Sequence, residues 1–338
     1  MSPRPGVSVV LSTYNRARLL DGALASLAAQ KTGGVAYEVV VVDNASTDGT
    51  HAVVEGWAAR TGGRVRYLYE GRQGVSYGRN TGIVAARAPV VAITDDDVRP
   101  EPGWIAAIVR ALREHPDAGF VGGAVVPEWP HPQPRWLTSE HWSPLGITGY
   151  GDRAFPCDAA RRVSLLTACL AVRRSAFAQA GVFSPAVQRV RDGIGSLEDA
   201  ELVTRFVDAG IVGMYVPSIR VRAPVDPVRM TRAYHRRWHT GHGRFHARLR
   251  DRELDRSSLR VLGVPGHLLR AGVRSAAAWA ACMLRGDRDR AFLHETRVRF
   301  AWGFVRERVG ARGAEPAAGE AEGVVGAVAP EEWRLEAG

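Results

Sequence analysis

The 338 residues, 46% hydrophobic and 24% charged, have the makeup of a globular protein of one large domain or two modest ones. The formal net charge of +10 is almost wholly arginine, because Lys31 is the only lysine. Such a skew reflects a GC-rich genome more readily than a polyanionic ligand, and no nucleic-acid-binding motif accompanies it. Cys157, Cys169 and Cys282 are odd in number and lack metal-ligand spacing, which argues against a disulfide framework or a zinc site. No apolar run approaches the roughly 20 residues of a spanning helix, and no apolar signal region precedes the first strand-like segment. The expected location is the cytoplasm.

In chain order, Val7–Leu11 is a β-branched apolar run, and Leu19–Ala29 repeats apolar residues at helical spacing. Tyr37–Val42 predicts a second strand, His51–Arg60 a second helix and Arg64–Tyr69 a third strand. Val90–Thr94, Pro102–Arg113 and Phe120–Val126 continue the pattern as strand, helix and strand. Near-continuous apolar strands alternating with helices predict a parallel sheet covered on both faces. Pro127–Pro156, rich in Pro and Trp, has no usable periodicity and reads as a long loop or partial lid. A strand over Leu165–Val172, a short helix near Ser175–Ala180 and a helix over Glu198–Ala209 follow. From Pro227 to about Gly310 the chain reads as arginine-rich helix, and residues 311–338, mainly Ala, Gly and Glu, read as a disordered tail.

Ligands of open α/β sheets bind at the carboxyl ends of the strands, and three strand ends here are polar. They are Ser12-Thr13-Tyr14-Asn15-Arg16, Asp43-Asn44-Ala45-Ser46-Thr47-Asp48 and Asp95-Asp96-Asp97. Singly, the first two would serve as helix caps. Three adjacent carboxylates repel one another unless a cation neutralises them, and Mg²⁺ or Mn²⁺ prefers such oxygen ligands, shared with substrate phosphates. The run Asn44–Gly49 with Glu55 loosely fits a calcium loop, but a strand precedes it where that loop requires a helix. Glu70–Gly82 is glycine-rich and carries Arg72 and Arg79, yet has neither the dinucleotide glycine spacing nor the P-loop lysine. Glu198-Asp199 opens a helix, where acids are favoured by the dipole alone. The Arg191–Ser196 loop before it would let one of them act as a base toward an acceptor hydroxyl.

The ordered set Thr13-Tyr14-Asn15-Arg16, Val42–Thr50, Gly78–Gly82, Asp95-Asp96-Asp97 and Glu198-Asp199 resembles the family 2 glycosyltransferases over roughly residues 6–220. The resemblance implies an α/β GT-A fold: a Rossmann-like nucleotide-binding half, a mixed, mostly parallel central sheet and an acceptor-binding half. Residues 1–228 would form this catalytic domain, divided at 126/127 into donor and acceptor halves, and 229–310 a basic amphipathic helical region. The resemblance further implies a nucleotide-diphosphate sugar donor, a hydroxyl-bearing acceptor (glycan, lipid-linked or small molecule), a divalent metal and inversion by single displacement. Carried over by position, Thr13, Tyr14, Asn15, Arg16, Asp43, Asn44, Ser46, Arg79, Asn80, Asp95 and Asp96 would bind the nucleotide-sugar. Asp95 and Asp97 would hold Mn²⁺ or Mg²⁺. Asp199 would be the base, assisted by Glu198, and Thr167 and Ala168 would border the acceptor. Many relatives place a histidine after the Glu-Asp helix, where this chain has Val221-Arg222-Ala223-Pro224-Val225.

Two rival classes share parts of this pattern. A sugar-nucleotidyltransferase would want a glycine-rich loop with a basic residue straight after the first strand, where Ser12–Arg16 stands instead. A non-catalytic nucleotide-sugar-binding protein would not need Asp95, Asp97 and Asp199 together. Between Arg229 and Arg308 there are 19 Arg against 7 Asp plus Glu. Amphipathic helices there would either pack on the catalytic domain or lie on the anionic inner face of the cell membrane. His235, His239 and His242 read as residues of a surface helix.

Overall fold

The computed structural model describes residues 4–188, 197–249 and 259–310. The predicted tail and the Arg191–Ser196 loop lie outside the described residues. In chain order the elements are β1 (Val7–Thr13), α1 (Ala17–Ala28), β2 (Tyr37–Asp43), α2 (Thr50–Arg60), β3 (Val65–Tyr69), α3 (Val75–Ala85), β4 (Val90–Asp95), β5 (Arg99–Pro100), α4 (Trp104–Glu114) and β6 (Phe120–Glu128). They continue as β7 (Phe155–Cys157), β8 (Leu170–Arg173), α5 (Arg174–Ala180), α6 (Glu198–Asp208), β9 (Gly213–Pro224), α7 (Arg232–Leu249), β10 (Arg260–Val261), β11 (Val264–Pro265), α8 (Gly266–Leu284) and α9 (Arg288–Gly310).

One mixed sheet runs β3-β2-β1-β4-β8-β6-β9-β5, with β7 paired to β9. Its β3-β2-β1-β4 part is parallel, and β8 lies antiparallel between β4 and β6. The Val- and Ile-rich strands are buried on both faces, as a helix-covered sheet requires. On one face α1 and α4 pack through residues at helical spacing, such as Leu20, Leu24 and Leu27, and Trp104, Ile108 and Leu112. Register then does the work of assembly: Thr13 pairs with Asp43 and Ser12 with Asp95, so the three polar strand ends lie side by side.

Two predicted elements differ. The strand expected over 165–172 begins only at Leu170, because Thr167–Cys169 forms a tight 3₁₀ turn. Pro127–Pro156 is not a bare loop: it carries 3₁₀ turns at Ser139–His141 and Ser143–Leu145, and Val125 bridges Thr148. Its Trp136, Leu137, Leu145 and Ile147 are buried against Met230 and Phe292.

The C-terminal helices pack on the sheet-bearing part, with α9 between α7 and α8. The backbones of α7 and α9 approach so closely that a Cβ on Gly243 would meet the Phe300 carbonyl, and one on Gly303 the Thr240 carbonyl. The surface-helix reading of the histidines fails here. His235 is wholly buried, with its ring edge-on to Trp136 at 5.0 Å, and His239 and His242 are partly buried. Trp136 and Phe292, from distant parts of the chain, face His235 and Phe300 of α9 faces His242, whereas Trp238 of α7 itself contacts His239 and His242 with ring centroids at 5.0 and 4.3 Å. Among the described residues no helix is long and apolar enough to cross a membrane.

Candidate active site

A cavity of about 510 Å³ opens at the strand ends. Thr13, Tyr14, Arg16, Asn44, Arg79, Asp95, Asp96, Asp97, Ala168, Glu198 and Asp199 all line it, so eleven sequence-predicted residues share one space. Asn15, Asp43, Ser46, Asn80 and Thr167 do not line it.

Of these five, Asp43 and Thr167 are buried, Ser46 and Asn80 half-buried, and Asn15 exposed. Asp43 accepts from the Ser46 backbone N–H (2.8 Å) and the Tyr67 hydroxyl (2.9 Å), fixing the turn after β2. Asn15, at φ 50°, accepts from the Thr47 N–H at 2.7 Å, while its own N–H donates to Ser46 Oγ at 2.9 Å. The first two strand-end loops are thereby clamped together. Asn80 exchanges two hydrogen bonds with the Phe183 backbone, tying α3 to the segment that follows α5. Thr167 is fully buried, so Ala168 alone of the predicted acceptor pair reaches the wall.

The carboxylates are individually held. Asp96 accepts from Thr13 Oγ1 at 2.7 Å and from the Arg16 guanidinium at 3.0 Å. Burial and the Asp97 charge nevertheless push its carboxyl up to about 6, the Arg16 contact only partly opposing them. Burial also raises Asp95, with Asp97 and Asp199 adding to it against the opposing pull of Arg79. Asp97 meets Arg16 at 3.2 Å and Arg229 at 3.6 Å.

Arg79, buried on α3, joins the two sides. Its guanidinium bonds Asp95 at 3.0 Å, Asp199 at 3.1 Å and Glu198 at 3.3 Å. Burial pulls this guanidinium down, but the three carboxylates outweigh it and the net direction is upward. Asp199, at the first turn of α6, also accepts from Thr167 Oγ1 at 2.7 Å and the Thr167 N–H at 3.2 Å. The 3₁₀ turn that shortens β8 is what aims that N–H. Three donors thus orient Asp199 in the cavity wall opposite the Asp95–Asp97 cluster.

The rest of the wall was not read from sequence. Ser143–Gly146 contribute from the Trp-rich segment, and Arg229, Tyr234, Trp238, His242 and His246 from the C-terminal region. His242 and His246 face each other at 3.2 Å between ring nitrogens. Burial, with His246 and His239 adding to it, pulls His242 down to about 3. Nothing in an arginine-rich stretch distinguishes Arg229. The one usable hint was the place of the expected histidine, since Ala223, Pro224 and Val225 line the cavity and Arg229 follows directly.

The chain's residues 8–179 match the family model described as glycosyl transferase family 2. The chain belongs to this family. Among curated relatives, validoxylamine A glucosyltransferase of Streptomyces hygroscopicus subsp. jinggangensis is 36% identical over 153 residues, covering 44% of this chain and 36% of that protein. Chondroitin synthase of Escherichia coli is 33% identical over 119 residues, 35% of this chain and 17% of that protein. The match therefore spans well under half of either relative. Among solved structures, a mannosyltransferase from Pyrobaculum calidifontis in complex with GDP-Man and Mn²⁺ superposes with TM-score 0.54 at 22% identity, covering 89% of this chain and 88% of that one. TarS of S. aureus (residues 1–349) in complex with UDP gives 0.51 at 15% identity, over 91% and 92%. These likenesses show the fold, and at about nine-tenths coverage they reach beyond the sheet-bearing part into the C-terminal helices.

Proposed function

We propose that this family 2 member is an inverting glycosyltransferase that moves a sugar from a nucleoside diphosphate to an acceptor hydroxyl. The observation that carries the reading is the placement of Asp199 and the Asp95–Asp97 cluster on one cavity, with Arg79 bonded to both. In this reading residues 1–228 form the catalytic domain, with the donor half over 6–126 and the acceptor half over 127–228. Residues 229–310 complete its site. The acceptor is a glycan, lipid-linked or small-molecule hydroxyl, met in the cytoplasm or at the inner face of the cell membrane.

Asp95 and Asp97 fit a divalent cation of the Mn²⁺ or Mg²⁺ kind. Arginine contacts engage Asp95 Oδ1 and Asp97 Oδ2, while the second oxygen of each has no protein partner among the described residues. With two carboxylates from the protein, such an ion would take its remaining ligands from phosphate and water. When bound, such an ion would stabilise the charge of the departing diphosphate. Arg16 and Arg229 flank the same place and offer charge-assisted hydrogen bonds to phosphate oxygens. Thr13, Tyr14 and Asn44 border the nucleoside. Asp199 takes the acceptor proton as the hydroxyl attacks, and Glu198 and Arg79 keep it oriented.

The test is a panel of nucleotide-sugars with Mn²⁺ or Mg²⁺, read as nucleoside diphosphate release and anomeric configuration of the product. Asp97→Ala is expected to remove metal-dependent donor binding. Asp199→Asn is expected to keep donor binding and lower transfer about 10²- to 10⁴-fold. Full turnover by Asp199→Asn overturns the base assignment. Pyrophosphate release from a nucleoside triphosphate and a sugar phosphate, with no transfer from any donor, would favour the nucleotidyltransferase alternative.

A further inference from the structure

The arginine excess of the C-terminal region is unevenly committed. On α7 and α9 six arginines are spent in ion pairs: Arg236 and Arg299 with Glu295, Arg244 and Arg248 with Glu307, Arg232 with Asp289 and Arg297 with Glu140, while Arg237, Arg288, Arg290 and Arg306 have no acidic partner among the described residues. α8 and the hairpin before it are different. From Leu259 to Gly286 there is no Asp or Glu, while Arg260, Arg270, Arg274 and Arg285 are present. Arg270, Arg274 and Arg285 have no acidic partner among the described residues.

α8 is also only partly covered by the rest of the protein. Only Gly266 and Cys282 of its 19 residues are buried, against six of 11 in α4. Its outward residues recur at helical spacing: Val273 (70% exposed), Ala276 and Ala277, Ala280, Met283 (50%) and Leu284 (90%). Arg270 and Arg274 border this apolar stripe, and with His267, Leu269 and Val273 they line a shallow groove. Trp279 and, on neighbouring α9, Trp302 are exposed as well. The hairpin that leads into α8 turns on Leu262, exposed and at φ 53°, a conformation that Gly or Asn adopts with less strain.

We propose that the outer face of α8, with the β10–β11 hairpin, is a docking surface for an anionic lipid bilayer. An apolar stripe bordered by unpaired arginines, with tryptophans beside it and no acid, matches the layering of a bilayer interface. The acyl boundary takes Val273, Met283 and Leu284, and anionic headgroups take Arg270 and Arg274. A second copy of the chain fits less well, since symmetric pairing of two such faces brings together arginines that no carboxylate in the segment neutralises. The inference goes beyond the proposed reaction, and its test needs no turnover, so the two fail separately.

The full chain is sedimented with vesicles of equal parts phosphatidylcholine and phosphatidylglycerol, and with vesicles of phosphatidylcholine alone. Binding is expected to the mixed vesicles, weakening as salt is raised, with little to the neutral ones. The Arg270→Ala/Arg274→Ala pair is expected to lower partitioning about 30-fold, at roughly fivefold per arginine. Val273→Glu/Leu284→Glu is expected to lower it about tenfold or more. All four positions are exposed or at the helix surface, and unchanged thermal melts confirm that the variants are folded. The proposal is overturned if the unaltered chain stays in solution with both vesicle types, if it binds both equally, or if both folded variants partition as it does. A concentration-dependent dimer that Val273→Glu/Leu284→Glu dissociates, without vesicle binding, assigns the face to a second copy instead.

Discussion

The strand-end wall of the cavity, Ser12 to Asp97, and the helical wall, Arg229 to His246, enclose the same space but are held by different forces. The first is set by strand register: once Thr13 pairs with Asp43 and Ser12 with Asp95, the polar ends have no other place to go. The second depends on close backbone contact at Gly243 and Gly303, on Arg–Glu pairs, and on histidines buried uncharged between α7 and α9. A wall fixed by backbone pairing tolerates changes of pH and of single side chains better than one fixed by side-chain charge.

The largest expected effect breaks the link between the strand-end wall and the carboxylates of α6. Arg79→Ala leaves Asp95, Glu198 and Asp199 facing one another without their shared cation. It is expected to cost about 3–5 kcal/mol in chemical denaturation and to lower transfer by about 10²-fold or more. Retention of wild-type stability by Arg79→Ala would mean that the carboxylates are balanced otherwise.

Acidification separates the walls next. Burial pulls His235 down to about 4 and His239 and His242 to about 3, below the 6.5 of an exposed histidine. For a base whose folded value is depressed, the unfolded chain takes up protons first. Stability is therefore complete above pH 6.5 and falls as pH drops from there toward 3. Thermal melts at successive pH values are expected to decline below about 6.5, with hydrogen exchange in α7 and α9 rising before that in β1 and β4. Simultaneous loss of protection in strands and helices would show that the two walls unfold as one unit.

The smallest effect probes the contact between them. Arg229 is 28% exposed at its side chain and 3.6 Å from Asp97. Arg229→Ala is expected to weaken donor binding about tenfold, with little change in melting temperature. Equal donor affinity in calorimetry would remove Arg229 from the diphosphate side of the site.

The difference between the walls also explains what the sequence made legible. Val90–Ile93 followed by Asp95-Asp96-Asp97 announces itself, because an apolar strand fixes where three acids must sit. Glu198-Asp199 was readable as a helix start, and its role came from the resemblance rather than from spacing. Asp43 and Asn15 share that strand-end grammar, yet their side chains are engaged by Ser46, Tyr67 and Thr47, which no one-dimensional pattern reports. The helical wall was opaque for a further reason. His235 looks like any polar residue on an arginine-rich helix, and only Trp136 and Phe292, brought in from distant parts of the chain, bury it.

Arg79 has a consequence for the order in which ligands arrive. The cavity is lined by five carboxylates, from Asp95, Asp96, Asp97, Glu198 and Asp199, but only three guanidinium groups, from Arg16, Arg79 and Arg229. With all of them ionised, the empty cavity is an electronegative well that repels a diphosphate and draws in cations from solution. On the proposed reading, positive charge would enter before or together with the donor, and at Asp95 it would compete with Arg79, which also bonds Asp199. Asp95 and Asp199 share one counter-ion in Arg79, so charge arriving at one of them would change the field at the other.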